Sequence, residues 1–301
     1  MASAKDWISS FRLRTLPLAL SCILGGSFLA FQDHHFNLTV LILAAVTTIL
    51  LQVLSNIAND YGDGVKGTDN DNRVGPTRAV QSKAISPQQM KRAVILNAIL
   101  ALTSGIILVM FSLQNATSTE ILIFMGLGVA SIIAAITYTV GKKAYGYSGM
   151  GDLFVFLFFG LIGVFGVYYL HTHIFKWEVI WMATFVGLMS ASVLNMNNMR
   201  DITNDKESGK NTLVVKLGFA SAKYYHSFLI VGAIASLQLM FYSYHLNSIY
   251  YLAFLPSFLF LKNAFFVHQA QYPASLDPEL KKLALGTFAT ILLLWIGSAI
   301  L

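Results

Sequence analysis

Apolar residues run in nine long blocks along this chain, at roughly 16–32, 38–58, 93–113, 120–140, 152–171, 178–198, 222–244, 247–267 and 283–301. Each block is close to the ~20 residues a helix needs to cross a bilayer. The pattern predicts an all-α membrane protein of nine transmembrane helices. Several blocks open with residues that can take up the first free amides of a helix: Ser86-Pro87 with Gln89, Thr117 with Glu120, and Asp277-Pro278.

Composition agrees with that reading. Of 301 residues, 56% are hydrophobic and 11% charged, far from the balance of an ordinary soluble domain. A single cysteine, Cys22, lies inside an apolar block, which excludes an intramolecular disulfide and a cysteine-rich metal centre. The opening MASAKDWISSFRLRTLPLAL sets basic residues before an apolar run without a clear small-residue cleavage site, so it reads as a retained first anchor.

Charge sets the expected orientation. If the N-terminus and the even-numbered connections share one side, every one of the 20 Lys and Arg residues except Lys176 falls there. That asymmetry predicts a cytoplasmic N-terminus and an outside C-terminus. The formal charge of +6 is then gathered at one membrane face, suited to anionic lipid or an anionic substrate. No separate basic soluble module exists, which argues against nucleic acid.

Two connections carry the unusual chemistry. The second reads NIANDYGDGVKGTDND from Asn56, and the sixth reads NMNNMRDITNDKESGKN from Asn195. In the first, Asn56 precedes Asp60 by four residues and Asp63 follows by three; in the second, Asn197 precedes Asp201 by four and Asp205 follows by four. Each set can share one helix face. Gly62, Gly64 and Gly67 in one, and Gly209 in the other, read as turns. The repetition at 56–73 and 195–213 suggests a weak internal duplication within one transmembrane domain spanning residues 1–301, whose two bundles bring acidic ends together across a central cavity.

Asp60, Asp63, Asp69, Asp71, Asp201, Asp205 and Glu207 make up half of the chain's 14 carboxylates. Asp69, Asp71 and Glu207 read equally well as acids of a solvated loop. Clustered carboxylates repel, so a cation should hold them, and oxygen donors without a His or Cys cluster favour Mg2+. The interleaved Lys66, Arg73, Arg78, Lys142, Lys143, Arg200, Lys206 and Lys210 can neutralise a polyanion. Mg2+ typically bridges carboxylates to phosphate oxygens. A diphosphate at the mouth of an apolar cavity points to an amphiphile whose tail lies among the helices.

Through these paired motifs and nine blocks, essentially the whole chain resembles the UbiA superfamily of intramembrane aromatic prenyltransferases. NDYGDGVKGTD, DNRVGPTRAVQS and NNMRDITNDKESGKNTLVVKLG are similar to loops of the branch that prenylates 1,4-dihydroxy-2-naphthoate in menaquinone biosynthesis. The resemblance implies that Asp60, Asp63, Asp201 and Asp205 coordinate Mg2+ and a polyprenyl diphosphate, supported by Asn56, Asn59, Asn197 and Asn198. It also implies transfer of the prenyl group to the ring with loss of CO2, giving demethylmenaquinol and diphosphate, at a bacterial inner membrane with the site facing the cytoplasm. The superfamily's third aspartate falls on Gly67, which leaves Asp69 or Asp71 as substitutes, or a third acid that is dispensable. YTVGKK is similar to the family's tyrosine and basic pair, with Thr139 where proline is common, so Tyr138, Lys142 and Lys143 carry over. Tyr138 could face a carbocation with its ring or sit as an interfacial tyrosine.

Candidate diphosphate contacts are therefore Asn56, Asn59, Lys66, Arg73, Lys142, Lys143, Asn197, Asn198, Arg200 and Lys206. Arg12, Arg14 and Arg78 are candidates for the acceptor carboxylate, the first two equally readable as membrane anchors. The connections at 60–90 and 199–221 are long enough to act as a lid. His34, His35, His171 and His173 fall on the opposite side and read as interfacial or loop residues. Gly160, Gly163 and Gly166 read as helix packing, and Pro256 as a kink. A different acceptor, such as 4-hydroxybenzoate or homogentisate, is one competing reading. A secondary transporter is another, but it would need polar groups near the bilayer midplane.

Overall fold

The computed structural model describes residues 2–70 and 74–301. Among them the chain is helical and contains no strand. Nine helical segments of the described residues are long and apolar enough to cross a bilayer: Ala4–Gln32, Leu38–Lys66, Pro87–Ser112, Ser118–Thr137, Gly151–Thr172, Val179–Arg200, Phe219–Ser243, Ser248–Gln269 and Pro273–Ile300. The sixth is the most enclosed, packing against the first, fifth, seventh and ninth. The second, third and fourth pack together around a separate small core that includes Leu54, Ile57, Ile85 and Met90.

The main departure from the sequence pattern lies at the second span. The apolar block ends near residue 58, yet the α-helix runs on from Leu38 to Lys66, so Asn56, Asp60 and Asp63 stand on helical turns. Gly62 and Gly64 are inside this helix and not in a turn. A Cβ on Gly62 would lie 2.6 Å from Thr139 Oγ1, and one on Gly64 would lie 2.6 Å from Val80 Cγ1. These positions are small because two connections press directly against the helix. The turn comes at Gly67, whose left-handed φ of 77° closes the helix through a bond to Asp63 O. Glycine adopts that left-handed conformation without a steric cost.

The first span is also interrupted. Ala4–Phe11 ends at Arg12, which is left-handed with φ 49°, and a single 3-10 turn leads into Leu16–Gln32. Asn56 Nδ2 holds this break against the second span by donating to Phe11 O at 2.9 Å and to Thr15 Oγ1 at 3.0 Å. In the fifth span, Phe156–Phe165 winds as a π-helix. A Cβ on Gly160 would lie 2.5 Å from Ala183 O, so the expected close packing takes place against the sixth span. Pro256 marks the change from the 3-10 segment Ser248–Phe254 to the helix Ser257–Gln269.

At the end away from the acidic motifs, the polar groups satisfy one another. Asp33 accepts from Lys176 Nζ at 2.7 Å and from Tyr168 Oη at 2.8 Å. His171 differs from its reading as an interfacial residue. It is buried, with Nε2 2.8 Å from Ser27 Oγ and Nδ1 accepting from the Asn37 amide at 3.1 Å.

Candidate active site

A cavity of about 430 Å³ lies among the first six spans. Its deeper wall is apolar and includes Cys22, Ala44, Leu108, Val109, Met125 and Leu170. Its mouth is polar because the second helix runs on past its apolar block, contributing Asn56, Asn59 and Asp63 on one side, while the end of the sixth helix and the short helix Ile202–Glu207 after it contribute Asn197, Asp201 and Asp205 on the other.

The two motifs meet directly. Lys210 Nζ stands 3.5 Å from Asp63 Oδ2 and 3.8 Å from Asp205 Oδ1, joining one acid of each motif. Burial alone would lower the pKa of this ammonium, but the charges of Asp63 and Asp205 more than offset burial and push it above the ordinary lysine value. Tyr147 Oη donates to Asp63 Oδ1 at 2.8 Å and is 2.6 Å from Thr68 Oγ1. Asn204 Nδ2 donates to Thr68 O at 3.0 Å, and the Asn211 amide donates to Tyr147 O at 3.2 Å, so backbone and side chain alike stitch the connections together.

Within each motif the acids part company. Asp60, 1% exposed, accepts from the amides of Ala79 at 3.2 Å and Val80 at 3.3 Å, and it is not part of the cavity wall. Asp201 lines the cavity but is gripped by its neighbour, with Arg200 Nε at 2.9 Å and Nη2 at 2.6 Å. Arg200 is buried off the cavity wall. It also reaches Asp277 at 2.6 Å and Asn197 at 2.9 Å, so its guanidinium ties the sixth span to the ninth.

The remaining candidates divide. Arg12 and Arg78 line the cavity, and Arg14 is exposed away from it. Lys66 donates to Thr139 O at 2.7 Å and lies over the Tyr147 ring at 4.1 Å, off the cavity wall. Lys142, Lys143 and Lys206 are exposed and Asn198 is buried, none of them on the wall. Asp69 lines the cavity just beyond Gly67. Asp71 and Arg73 lie outside the described residues. Thr139, standing where proline is common in the resembled family, brings its hydroxyl within 3.1 Å of Ala58 O and 3.2 Å of Asn59 Oδ1, contacts a proline could not make.

Tyr138 lines the cavity, and burial pushes its phenol up to about 12, so it stays neutral. It begins an aromatic row that the sequence reading missed. Its ring lies 5.2 Å from Tyr145, which lies 4.1 Å from Phe154, which lies 6.1 Å from Phe158, and all four line the cavity. The four-residue spacing of Phe154 and Phe158 was the available signal. Tyr147 was also missed, since YGY belongs to no recognised pattern.

Among the described residues, no group of three or more His, Cys, Asp or Glu side chains is gathered closely enough to hold a metal ion. The mouth nevertheless offers Asp63, Asp69, Asp201 and Asp205 together with the amide oxygens of Asn59 and Asn197. That all-oxygen set fits a hard cation such as Mg2+.

Fold and site together define a polytopic helical membrane protein with an acidic mouth over an apolar chamber. Residues 19–297 match the UbiA prenyltransferase family, and the chain belongs to that family. One relative is the 1,4-dihydroxy-2-naphthoate octaprenyltransferase of Escherichia coli (strain K12), 44% identical over 298 residues, covering 99% of this chain and 96% of the relative. The enzyme of the same name from Haemophilus influenzae is 42% identical, covering 97% and 95%. Among solved structures, an apo UbiA homolog from Aeropyrum pernix K1 superposes with a TM-score of 0.69 at 16% identity, covering 96% of this chain and 98% of that one. A UbiA homolog from Archaeoglobus fulgidus bound to GPP and Mg2+ gives a TM-score of 0.63 at 14% identity, covering 96% and 99%. At such identities these two share the fold.

Proposed function

We propose that this protein transfers a polyprenyl group from polyprenyl diphosphate to 1,4-dihydroxy-2-naphthoate, releasing diphosphate and CO2 and giving demethylmenaquinol. The observation that carries this reading is the approach of Asp63 and Asp205, from separate motifs, to one buried lysine at the mouth of an apolar cavity. The acceptor is supported by the names of relatives that align along nearly the whole chain. We read the chain as a single domain in the bacterial inner membrane, and the Lys and Arg asymmetry supports a mouth turned toward the cytoplasm.

Asp63, Asp69, Asp201 and Asp205, with Asn59 and Asn197, would hold Mg2+, which when bound offsets the charge gathering on a departing diphosphate. Lys210 adds a second positive charge at the same place. Asp60 serves the site from behind. Its bonds to the Ala79 and Val80 amides fix the connection that brings Arg78 to the wall.

The apolar chamber takes the tail and keeps water from the reacting carbon. Beside the mouth, the row from Tyr138 to Phe158 lines the cavity, where aromatic rings would stabilise the positive charge that develops on prenyl carbon 1. Arg12 and Arg78 hold the acceptor's carboxylate within the same cavity. As the ring carbon bonds to prenyl carbon 1, the bond from that carbon to the diphosphate oxygen breaks. The electron pair of the carbon–carboxylate bond returns to the ring as CO2 leaves.

Purified protein incubated with Mg2+, a prenyl diphosphate and carboxyl-labelled 1,4-dihydroxy-2-naphthoate is expected to release labelled CO2 and form a prenylated product. Absence of product with every aromatic acceptor would overturn the reading. Product from 4-hydroxybenzoate alone would overturn the acceptor.

A further inference from the structure

We propose that Lys210 takes the place of the divalent cation in the ligand-free protein and must swing onto the diphosphate before the metal is held, so that metal and diphosphate bind together and not one by one. This rests on the reading that the mouth takes both. Two carboxylates facing each other in a buried site are costly without a positive charge between them. Lys210 supplies that charge, with Nζ 3.5 Å from Asp63 and 3.8 Å from Asp205 and its side chain 11% exposed.

The contacts are loose compared with those of the neighbouring arginine. Arg200 is locked onto carboxylates at 2.6 Å on two sides, whereas both Lys210 distances exceed the ~2.7–3.2 Å of a firm hydrogen bond. The backbone around Lys210 is pinned: its own amide donates to Asp205 O at 2.8 Å, and that of Asn211 donates to Tyr147 O at 3.2 Å. A fixed backbone with a loosely held, flexible side chain lets the charge move while the loop stays. A cation shared by Asp63 and Asp205 would repel the ammonium between them, and the lysine gains a better partner only when an anion arrives.

Mn2+ binding to the full chain in detergent, read by electron paramagnetic resonance with and without inorganic diphosphate, tests this. Wild type is expected to bind Mn2+ weakly alone and at least about tenfold more tightly when diphosphate is present. Lys210→Met should bind Mn2+ alone at least about tenfold more tightly than wild type and lose most of the diphosphate enhancement. Lys210→Arg, which keeps the charge, should continue to exclude free metal. Lys210→Gln makes the same comparison if the methionine variant fails to fold. Equal affinities of wild type and the uncharged variants for Mn2+ alone, with Asp63→Asn still weakening Mn2+ in the presence of diphosphate, would overturn the lysine's role while leaving the site reading intact. If Asp63→Asn changes nothing under either condition, the site reading falls and the inference falls with it.

Discussion

The two acidic motifs solve one problem with different chemistry. Each divides its acids between holding the structure and facing the opposite motif. In the first, Asp60 is held by the backbone amides of Ala79 and Val80 while Asp63 faces Tyr147 and Lys210. In the second, Asp201 is held by the Arg200 guanidinium while Asp205 faces the same lysine. The anchors differ because the second span continues unbroken through its motif and meets a folded connection, whereas the sixth breaks at Asp201 and has the ninth span beside it. Similar motif text therefore does not confer the same role on each acid.

The strongest way to break this comparison is to remove the shared pair. Asp63→Asn or Asp205→Asn should lower turnover by about 10³-fold, the scale expected when a group that organises leaving-group stabilisation is lost. Full product formation by either variant would remove the common site. Arg200→Gln should cost about 3 kcal/mol of stability, since it removes the buried guanidinium that bonds both Asp201 and Asp277, and should show as a lowered thermal unfolding midpoint. An unchanged midpoint together with a raised KM for the prenyl diphosphate would return Arg200 to the binding role expected from the sequence.

Asp60→Ala tests the other anchor. It should cost about 2 kcal/mol by leaving two amides unpaired, with a smaller loss of turnover than Asp63→Asn. Equal catalytic losses in the two variants, at wild-type stability, would erase the distinction between the first motif's acids. Tyr147→Phe keeps the ring beneath Lys66 and Lys210 but loses the bond to Asp63, and a drop of about fivefold in kcat/KM is expected. The smallest effect belongs to Lys142→Gln with Lys143→Gln: exposed and off the cavity wall, the pair should change KM by less than about twofold.

Much of the architecture was legible because apolar length is a local property. The nine blocks and the two polar connections could be read in order along the chain. The boundary of the second span was not, because Asn56 to Lys66 is polar, and its helix is stabilised by what packs on it, through Asn56 to the first span and Gly62 to Thr139. The spacing of Asn56, Asp60 and Asp63 correctly allowed a common helix face, but that spacing is silent on which neighbour each acid meets. Asn59 and Asp63 reach the cavity, while Asp60 between them meets amides some twenty positions ahead in the chain. Likewise, a list of interleaved bases could not rank Arg200 below Lys210, since the difference is a buried fork onto Asp277.

By itself the sequence determined that this chain enters a membrane, how many helices do so, and that two acid-rich segments accompany them. Those outcomes follow from transferring runs of apolar side chains out of water, a sum over adjacent residues. Only the tertiary structure decided which neighbour each carboxylate meets. Ion pairs and hydrogen bonds act over a few ångströms, and here their partners come from turns and helices far apart in the chain.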